Sequence, residues 1–386
     1  MQNFNYRNPT RILFGKGQIA NIPAEIPAGA KVMLTYGGGS IRRNGVYEQI
    51  RKALASYQVV EFGGIEPNPE YKTLLQAVEL GRREKVDFLL AAGGGSVVDG
   101  TKLIAAAIPF AGDAWDILTK QAPVESAVPL AAILTLPATG SESNNCAVIS
   151  RAETGQKLAF ANSLVYPVFA VLDPQTTFSL PPRQVANGIV DAFVHTTEQY
   201  LTFPAEARLQ DRFAESILQT LIEVGPQTLA KPTDYDLRAD FVWAATMALN
   251  GLIGQGVPQD WATHMIGHEL TALYGIDHAR TLAAVLPSML RVQSQQKAGK
   301  LVQFAERVWG IREGTREQKI AGGIAATEKF FESLGVPVRL TAYEAVRPDT
   351  PSAIARQLVH NGLTQLGERH DVTPATVEKV LALSLA

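Results

Sequence analysis

The stretch DFLLAAGGGSVVDG, Asp87–Gly100, decides the architecture. Asp87–Ala92 is an unbroken apolar run, the pattern of a strand buried on both faces. Gly93-Gly94-Gly95 ends it, and a helical pattern follows from Ser96 to Ile108. Ser96 reads as the N-cap, with Asp99 in the first turn. The same order of strand, glycine run and helix recurs upstream. Lys31–Tyr36 reads as a strand, Gly37-Gly38-Gly39-Ser40 closes it, and Tyr47–Tyr57 is helical. Gln58–Phe62 is a further strand. Thr73–Val86 is a helix with Leu74, Ala77, Val78 and Gly81 on one face. Pro129–Leu136 and Pro167–Leu172 read as later buried strands. Strands that alternate with crossover helices make a parallel sheet.

The pattern changes after Asp173-Pro174. Thr176–Pro182 reads as a linker ending in a helix start. Beyond it the segments 183–202, 205–224, 235–253, 259–274, 280–294, 299–309 and 315–334 all read as helices. The expectation is an α/β N-terminal domain over 1–180 and an all-α domain over 181–386. A chain of 386 residues suits two cores better than one. Hydrophobic residues make up 46% and charged residues 19%, as in a packed globular protein. With 35 Lys and Arg against 37 Asp and Glu there is no basic excess to hold a nucleic acid. No apolar run is long enough for a signal peptide or a membrane span, so a cytoplasmic protein without membrane partners is expected. The single cysteine, Cys146, excludes an internal disulfide and a cysteine-rich zinc site, and reads as a small buried apolar residue.

The two glycine runs carry the first chemical signal. Glycine lets the backbone approach a phosphate, and a helix starting just beyond it offers free N–H groups. Neither run has the usual G-x-G-x-x-G spacing, and either alone could be a plain tight turn. Two in one parallel sheet favour a dinucleotide. The first strand ends without the acid that would hold the ribose 2′-OH of NAD. Gly38, Ser40, Arg42 and Arg43 stand there instead and suit the 2′-phosphate of NADP, although both arginines would also fit a solvated helix face.

The second signal is a histidine constellation. Asp191-Ala-Phe-Val-His195 puts a carboxylate and an imidazole one helical turn apart on one face. His264 and His268 form a second such pair, and His278 follows. On one straight helix His264 and His278 would lie ~21 Å apart, so both reach one ion only if the chain turns back. Gly275 is a plausible terminator for that turn. One Asp and three His make a mixed N/O site for a divalent transition ion. Spacing alone leaves open which three histidines bind, and each could instead be a hydrogen-bonded core residue. His360 and His370 have no carboxylate pattern around them and read as surface residues.

Taken together, Arg11-Ile-Leu-Phe-Gly15, Gly93-Gly-Gly-Ser96-Val-Val-Asp99, Thr135-Leu-Pro-Ala-Thr139-Gly140-Ser141-Glu142, Asp191-Ala-Phe-Val-His195 and the His264, His268, His278 set resemble the iron-containing alcohol dehydrogenase family along essentially the whole chain. Leu34-Thr-Tyr-Gly-Gly-Gly-Ser40 and Val257-Pro-Gln-Asp-Trp-Ala-Thr-His264 are most similar to its NADPH-dependent aldehyde reductase and butanol dehydrogenase branch. The resemblance implies a dehydroquinate synthase-like fold in proteins that are commonly dimers or larger, and a homodimer is expected. It implies metal ligands at Asp191, His195, His264 and His278, and leaves His268 for proton relay or substrate contact. It implies Gly38 and Ser40 near the adenosine end, and Gly94, Gly95, Ser96 and Asp99 around the pyrophosphate or nicotinamide. Asn68, Thr135, Thr139, Ser141, Asn144 and Lys157 complete the cofactor set. Ala279 replaces the Gly that many relatives carry after the last His, so the local turn can differ.

The reaction so implied is hydride transfer between NADP(H) and the carbonyl of a short to medium aliphatic aldehyde, polarised by Fe²⁺ or Zn²⁺. Two other readings share these features. A metal- and NAD-dependent lyase of the dehydroquinate synthase kind would need basic residues for a phosphorylated substrate, and the surroundings of the His motifs hold Trp261, Met265 and Leu270 instead. A nucleotide-binding sensor with a structural metal would have no use for His268.

Overall fold

The protein is described here by a computed structural model that covers residues 1–386. It forms two compact units. One comprises 7–181 and 233–242, the other 1–6, 182–232 and 243–386.

In the first unit the elements are β1 (Arg11–Phe14), β2 (Lys31–Tyr36), α1 (Ser40–Arg43), α2 (Val46–Ala53), β3 (Gln58–Phe62), α3 (Tyr71–Glu84), β4 (Phe88–Gly94), α4 (Gly95–Ala107), α5 (Asp116–Thr119), β5 (Leu130–Leu136), β6 (Cys146–Arg151), β7 (Gln156–Ala161) and β8 (Phe169–Leu172). Six strands form one parallel sheet in the order β1-β8-β5-β4-β2-β3. Successive side chains of a strand point to opposite faces, and both faces here are covered. Leu89 and Ala91 of β4 join the core built with α3 and α4, while Phe88, Leu90 and Ala92 join the core on the side of α2. That is why Asp87–Ala92 reads as continuous apolar sequence.

The strand order reverses between β2 and β4. From β2 the chain moves outward to β3, and from β4 it moves the other way to β5. The crevice at the carboxyl ends of two such strands is the usual ligand position in an open α/β sheet. Both glycine runs lie there, one after β2 and one at the end of β4.

Two features were not anticipated. Arg11–Phe14 forms an edge strand, too short to show an alternation of its own. Residues 146–161 form an antiparallel hairpin, β6 with β7, outside the main sheet. Cys146 opens that hairpin and is exposed, which corrects the expectation of a buried residue. Side chains alternate along β6, so Ala147 and Ile149 pack into the core and Cys146 takes the opposite, exposed face.

The second unit contains α6 (Pro182–Tyr200), α7 (Arg208–Ala230), the C-terminal part of α8 (Tyr235–Ala248) from Trp243 onward, α9 (Ala262–Tyr274), α10 (His278–Val292), α11 (Ala298–Arg307), α12 (Arg316–Ser333), α13 (Thr350–His360) and α14 (Pro374–Leu385). The last two were missed in the sequence reading. No helix is long and apolar enough to cross a membrane. His360 and His370 are exposed, as expected. α6 is the central helix, buried at every position from Val185 to Tyr200. Phe193 anchors it in an aromatic cluster, with ring centroids 5.4 Å from both Phe330 and Phe331. Its buried face also carries Asp191, His195, Glu198 and Gln199, polar groups that a core helix holds only when they have a purpose or partners.

Candidate metal centre and nucleotide site

Three helices present the histidines. α6 places Asp191 and His195 one turn apart. α9 carries His264 and His268, and ends at Gly275, whose φ of 66° closes the helix in the left-handed region. The chain then reverses and α10 starts at His278. This reversal brings His278 back to the α6 ligand face. His195 Nδ1, His264 Nε2 and His278 Nε2 lie 3.8, 3.9 and 4.0 Å from Asp191 Oδ1. Asp191, His195 and His264 each offer a ligand atom within 4.8 Å of the others, and all three residues are buried. His268 is buried too, with its ring centroid 4.8 Å from that of His278 and 6.3 Å from that of His264.

The donor set fits a divalent cation. Nε2 of His264 is buried and makes no hydrogen bond. Ligand atoms around a transition ion at about 2.0–2.2 Å are separated by only slightly less than the distances seen here. The field also favours positive charge. Burial works against a proton on His264, yet the carboxylates of Glu198 and Asp191 outweigh it and hold the ring up to about 9.

Glu198 was missed by the sequence reading. It lies on α6 three residues after His195, and its carboxylate contacts Nδ1 of His264 closely. Its other oxygen accepts the Thr263 N–H at 2.7 Å. This leaves Nε2 as the lone-pair nitrogen, so Glu198 sets the tautomer and aim of His264. Its spacing, Asp191, His195, Glu198, continues one helical face, and that was the signal available. Asp277, next to His278 in the chain, acts on the backbone rather than on the ring. Its Oδ2 accepts from Arg183 Nε at 2.8 Å and Asn187 Nδ2 at 2.9 Å, which ties the start of α10 to α6. Burial raises the Asp277 carboxyl, but these donors prevail and hold it below its ordinary value.

Trp261 precedes α9 with φ 62°, unusual for a bulky residue. Asp260 holds this turn by accepting the Ala262 N–H at 3.0 Å and pairing with buried Lys297. The indole packs edge-on to His264 and His195, with centroids 5.3 and 6.1 Å away. It gives the site an apolar wall.

In the α/β unit most of the expected cofactor residues come together around the start of α4. Here glycine serves close packing. A Cβ on Gly95 would stand 2.5 Å from Thr139 Oγ1, and one on Gly93 2.5 Å from Val97 Cγ2. At the other run the need is conformational, since Gly39 has φ 86°. The helix start corrects one expectation. Gly94 is the N-cap, Ser96 lies inside the first turn, and Asp99 falls beyond it. The glycine run itself enters the helix because no side chain blocks it. Ser96 Oγ accepts the Asn68 N–H at 3.2 Å, and Asn68 Oδ1 accepts from Lys157 Nζ at 2.9 Å. Asp99 accepts from Ser141 Oγ at 2.5 Å. Thr135 is buried near the end of β5. Gly38 and Ser40 stand apart on the exposed turn after β2. Arg43 is exposed, while Arg42 is held by Glu61 at 2.6 Å and by the Tyr36 hydroxyl at 2.8 Å.

A doubly covered parallel sheet with glycine turns at its switch point, joined in one chain to a helical unit with an Asp/His metal cluster, is the make-up of a nucleotide- and metal-dependent enzyme. Residues 9–174 match the iron-containing alcohol dehydrogenase family, and residues 185–385 match its C-terminal family. The chain belongs to the iron-containing alcohol dehydrogenases. It is 59% identical over 376 residues to the NADPH-dependent aldehyde reductase YqhD of Escherichia coli, covering 97% of each chain. It is 40% identical to a probable NADH-dependent butanol dehydrogenase of Bacillus subtilis over the full length of both. The crystal structure of E. coli YqhD superposes with a TM-score of 0.97, covering 99% of both chains at 56% identity. That of butanol dehydrogenase A from Thermotoga maritima superposes with a TM-score of 0.95, covering 100% of this chain and 99% of that one at 35% identity.

Proposed function

We propose that this protein is an NADP(H)-dependent alcohol dehydrogenase that works chiefly as an aldehyde reductase on short to medium aliphatic aldehydes. The observation that carries the reading is the convergence of His195, His264 and His278 on one oxygen of Asp191 in a buried helical core. Similarity to an NADPH-dependent aldehyde reductase over nearly the whole chain supports it.

Asp191, His195, His264 and His278 would hold the cation. A bound Fe²⁺ or Zn²⁺ supplies Lewis acidity at the carbonyl oxygen, and the nicotinamide supplies the hydride. The chain's own residues do the rest. Glu198 aims the His264 ring, and Asp277 fixes the start of the helix that carries His278. Trp261 keeps one side of the site apolar and suits an uncharged aldehyde. His268 stands next to the His278 ring and is the residue we assign to carry a proton to the developing alkoxide oxygen. In the α/β unit the start of α4 offers free N–H groups for the pyrophosphate. Gly94, Gly95, Ser96, Asn68 and Lys157 surround that position, with Thr135, Thr139, Ser141, Asn144 and Asp99 supporting it. Gly38 and Ser40 leave room at the adenosine end for a 2′-phosphate.

We further assign residues 1–180 to nucleotide binding and 181–386 to metal binding. On family grounds the assembly is taken as a cytoplasmic homodimer, which light scattering on the purified protein checks. The central test is NADPH oxidation with a short aliphatic aldehyde, on metal-loaded and chelator-stripped protein, with NADH in parallel. Loss on stripping, recovery with Fe²⁺ or Zn²⁺ and preference for NADPH are expected. Activity indifferent to metal would overturn the four-ligand site.

A further inference from the structure

Lys102 lies on α4 and is wholly buried. A buried ammonium needs a full set of acceptors. Lys102 Nζ has three: Ser141 Oγ at 2.8 Å, Asn144 Oδ1 at 2.8 Å and the Cys146 carbonyl at 2.7 Å. All three belong to the segment that leads from β5 into β6. Asp99, one turn earlier on the same helix, completes the fastening. It accepts from Ser141 Oγ at 2.5 Å and from the Val148 N–H at 2.9 Å. Within the segment, Asn144 Oδ1 also takes the Cys146 N–H at 3.0 Å, and Thr139 Oγ1 takes the Ser141 N–H at 3.2 Å.

This bonding limits what the segment can offer a ligand. A serine hydroxyl has one proton, and that of Ser141 is committed to Asp99. One of its lone pairs is committed to Lys102. The Asn144 oxygen already receives two donors, and its amide nitrogen is turned to the Thr139 carbonyl of the same segment at 3.5 Å. Burial pulls the Lys102 ammonium down to about 8 while the Asp99 carboxylate opposes it, as expected of a cation kept in the interior by its acceptors.

We propose that Lys102 is a positioning residue of the nucleotide site, and that Ser141 and Asn144 serve that site through Lys102 rather than as contacts of their own. The inference rests on the reading of α4 and its glycine turn as the nucleotide cradle. Lys102 ties the 139–148 segment to that helix. It thereby fixes Thr139, the side chain packed against Gly95, where the backbone must admit a pyrophosphate.

The test is a fluorescence titration of NADPH into metal-loaded protein, with metal content measured on every variant. Failure of the unaltered protein to bind NADPH would sink the nucleotide reading itself. Given binding, Lys102→Met is expected to weaken it about tenfold. Metal content should stay unchanged, and KM should rise for NADPH but not for the aldehyde. Ser141→Ala is expected to weaken binding less, and to add nothing when combined with Lys102→Met. Unaltered NADPH binding in Lys102→Met, or full additivity with Ser141→Ala, would overturn the proposal. Should Lys102→Met not fold, Ser141→Ala and Asn144→Ala carry the same test. Losses smaller in combination than their sum are expected if both act through one lysine, and additive losses would mark two independent contacts.

Discussion

Glu198→Gln isolates the part that one carboxylate plays in the metal centre. In the native site one oxygen accepts the Thr263 N–H at 2.7 Å and the other faces Nδ1 of His264. Both oxygens therefore accept, and with a cation bound the one ring proton would sit on Nδ1 while Nε2 turns its lone pair toward the space beside Asp191 Oδ1, 3.9 Å away. An amide of the same shape has a single accepting oxygen. If that oxygen stays on Thr263, the amide NH₂ faces Nδ1 and drives the ring proton to Nε2, the ligand atom. If the amide is reversed, two N–H donors confront each other at Thr263. Either arrangement forfeits about one hydrogen bond to a charged group, ~1.5–3 kcal/mol. At 1.4 kcal/mol per decade this is a loss of about 10–100-fold in metal affinity, the size found when such supporting carboxylates are removed elsewhere. The assay is equilibrium dialysis against a competing chelator, read by elemental analysis of the protein, with NADPH binding as a control on the other unit. Metal affinity equal to that of the unaltered protein, with NADPH binding also intact, would refute the tautomer argument. The response should be specific. Asp277→Asn, which keeps an oxygen for Arg183 and Asn187, is expected to lose less metal.

Asp191→Ala should lose metal and aldehyde reduction together, whereas His268→Ala should keep the metal and lower kcat; metal loss from the His268 variant would show that the ligand assignment is wrong. Gly95→Ala puts a methyl 2.5 Å from Thr139 Oγ1, at a cost of about 1–3 kcal/mol in denaturant unfolding, and Thr139→Ala in the same chain should recover part of it. Ser40→Asp adds a negative charge on the turn after β2 and is expected to lower kcat/KM with NADPH relative to NADH. The Glu328 carboxyl is raised by burial but held below its ordinary value by Arg291 and Arg339, so its contribution is present at neutral pH and lost as pH falls through its folded-state pKa. Because both arginines are partly exposed, Glu328→Gln should cost only about 1 kcal/mol near pH 7, and the gap from the unaltered protein should close below about pH 4 in urea melts.

The local elements were legible because period reports burial. Asp87–Ala92 is apolar throughout since both sheet faces are covered, and Leu74, Ala77, Val78 and Gly81 repeat as one buried helical face. The Asp191 and His195 pair could be read from i, i+4 spacing, and the break at Gly275 from the need to turn a helix back. Each of these depends on residues close in sequence. The choice between His268 and His278 beside Asp191 does not. Both spacings from His264 suit an ion, and only the packing of α9, α10 and α6 puts His278 Nε2 4.0 Å from the aspartate. Glu198 and Lys102 escaped for a related reason. Their partners lie 66 and 39–44 residues away, so the spacing that puts Glu198 on the Asp191 and His195 face does not say which residue it will meet, and a lone Lys in a helix carries no sign at all. The start of α4 shows the same limit on a smaller scale. Ser96 looks like a cap in isolation, but Gly94 takes that position because Gly95 alone fits beneath Thr139, a neighbour brought there by the sheet. Periodicity and short spacings, set by bonded geometry, belong to the sequence. The partner of a buried charge, the aim of a ligand ring and the fit of a glycine are set by contacts across the chain, and these exist only once it has folded.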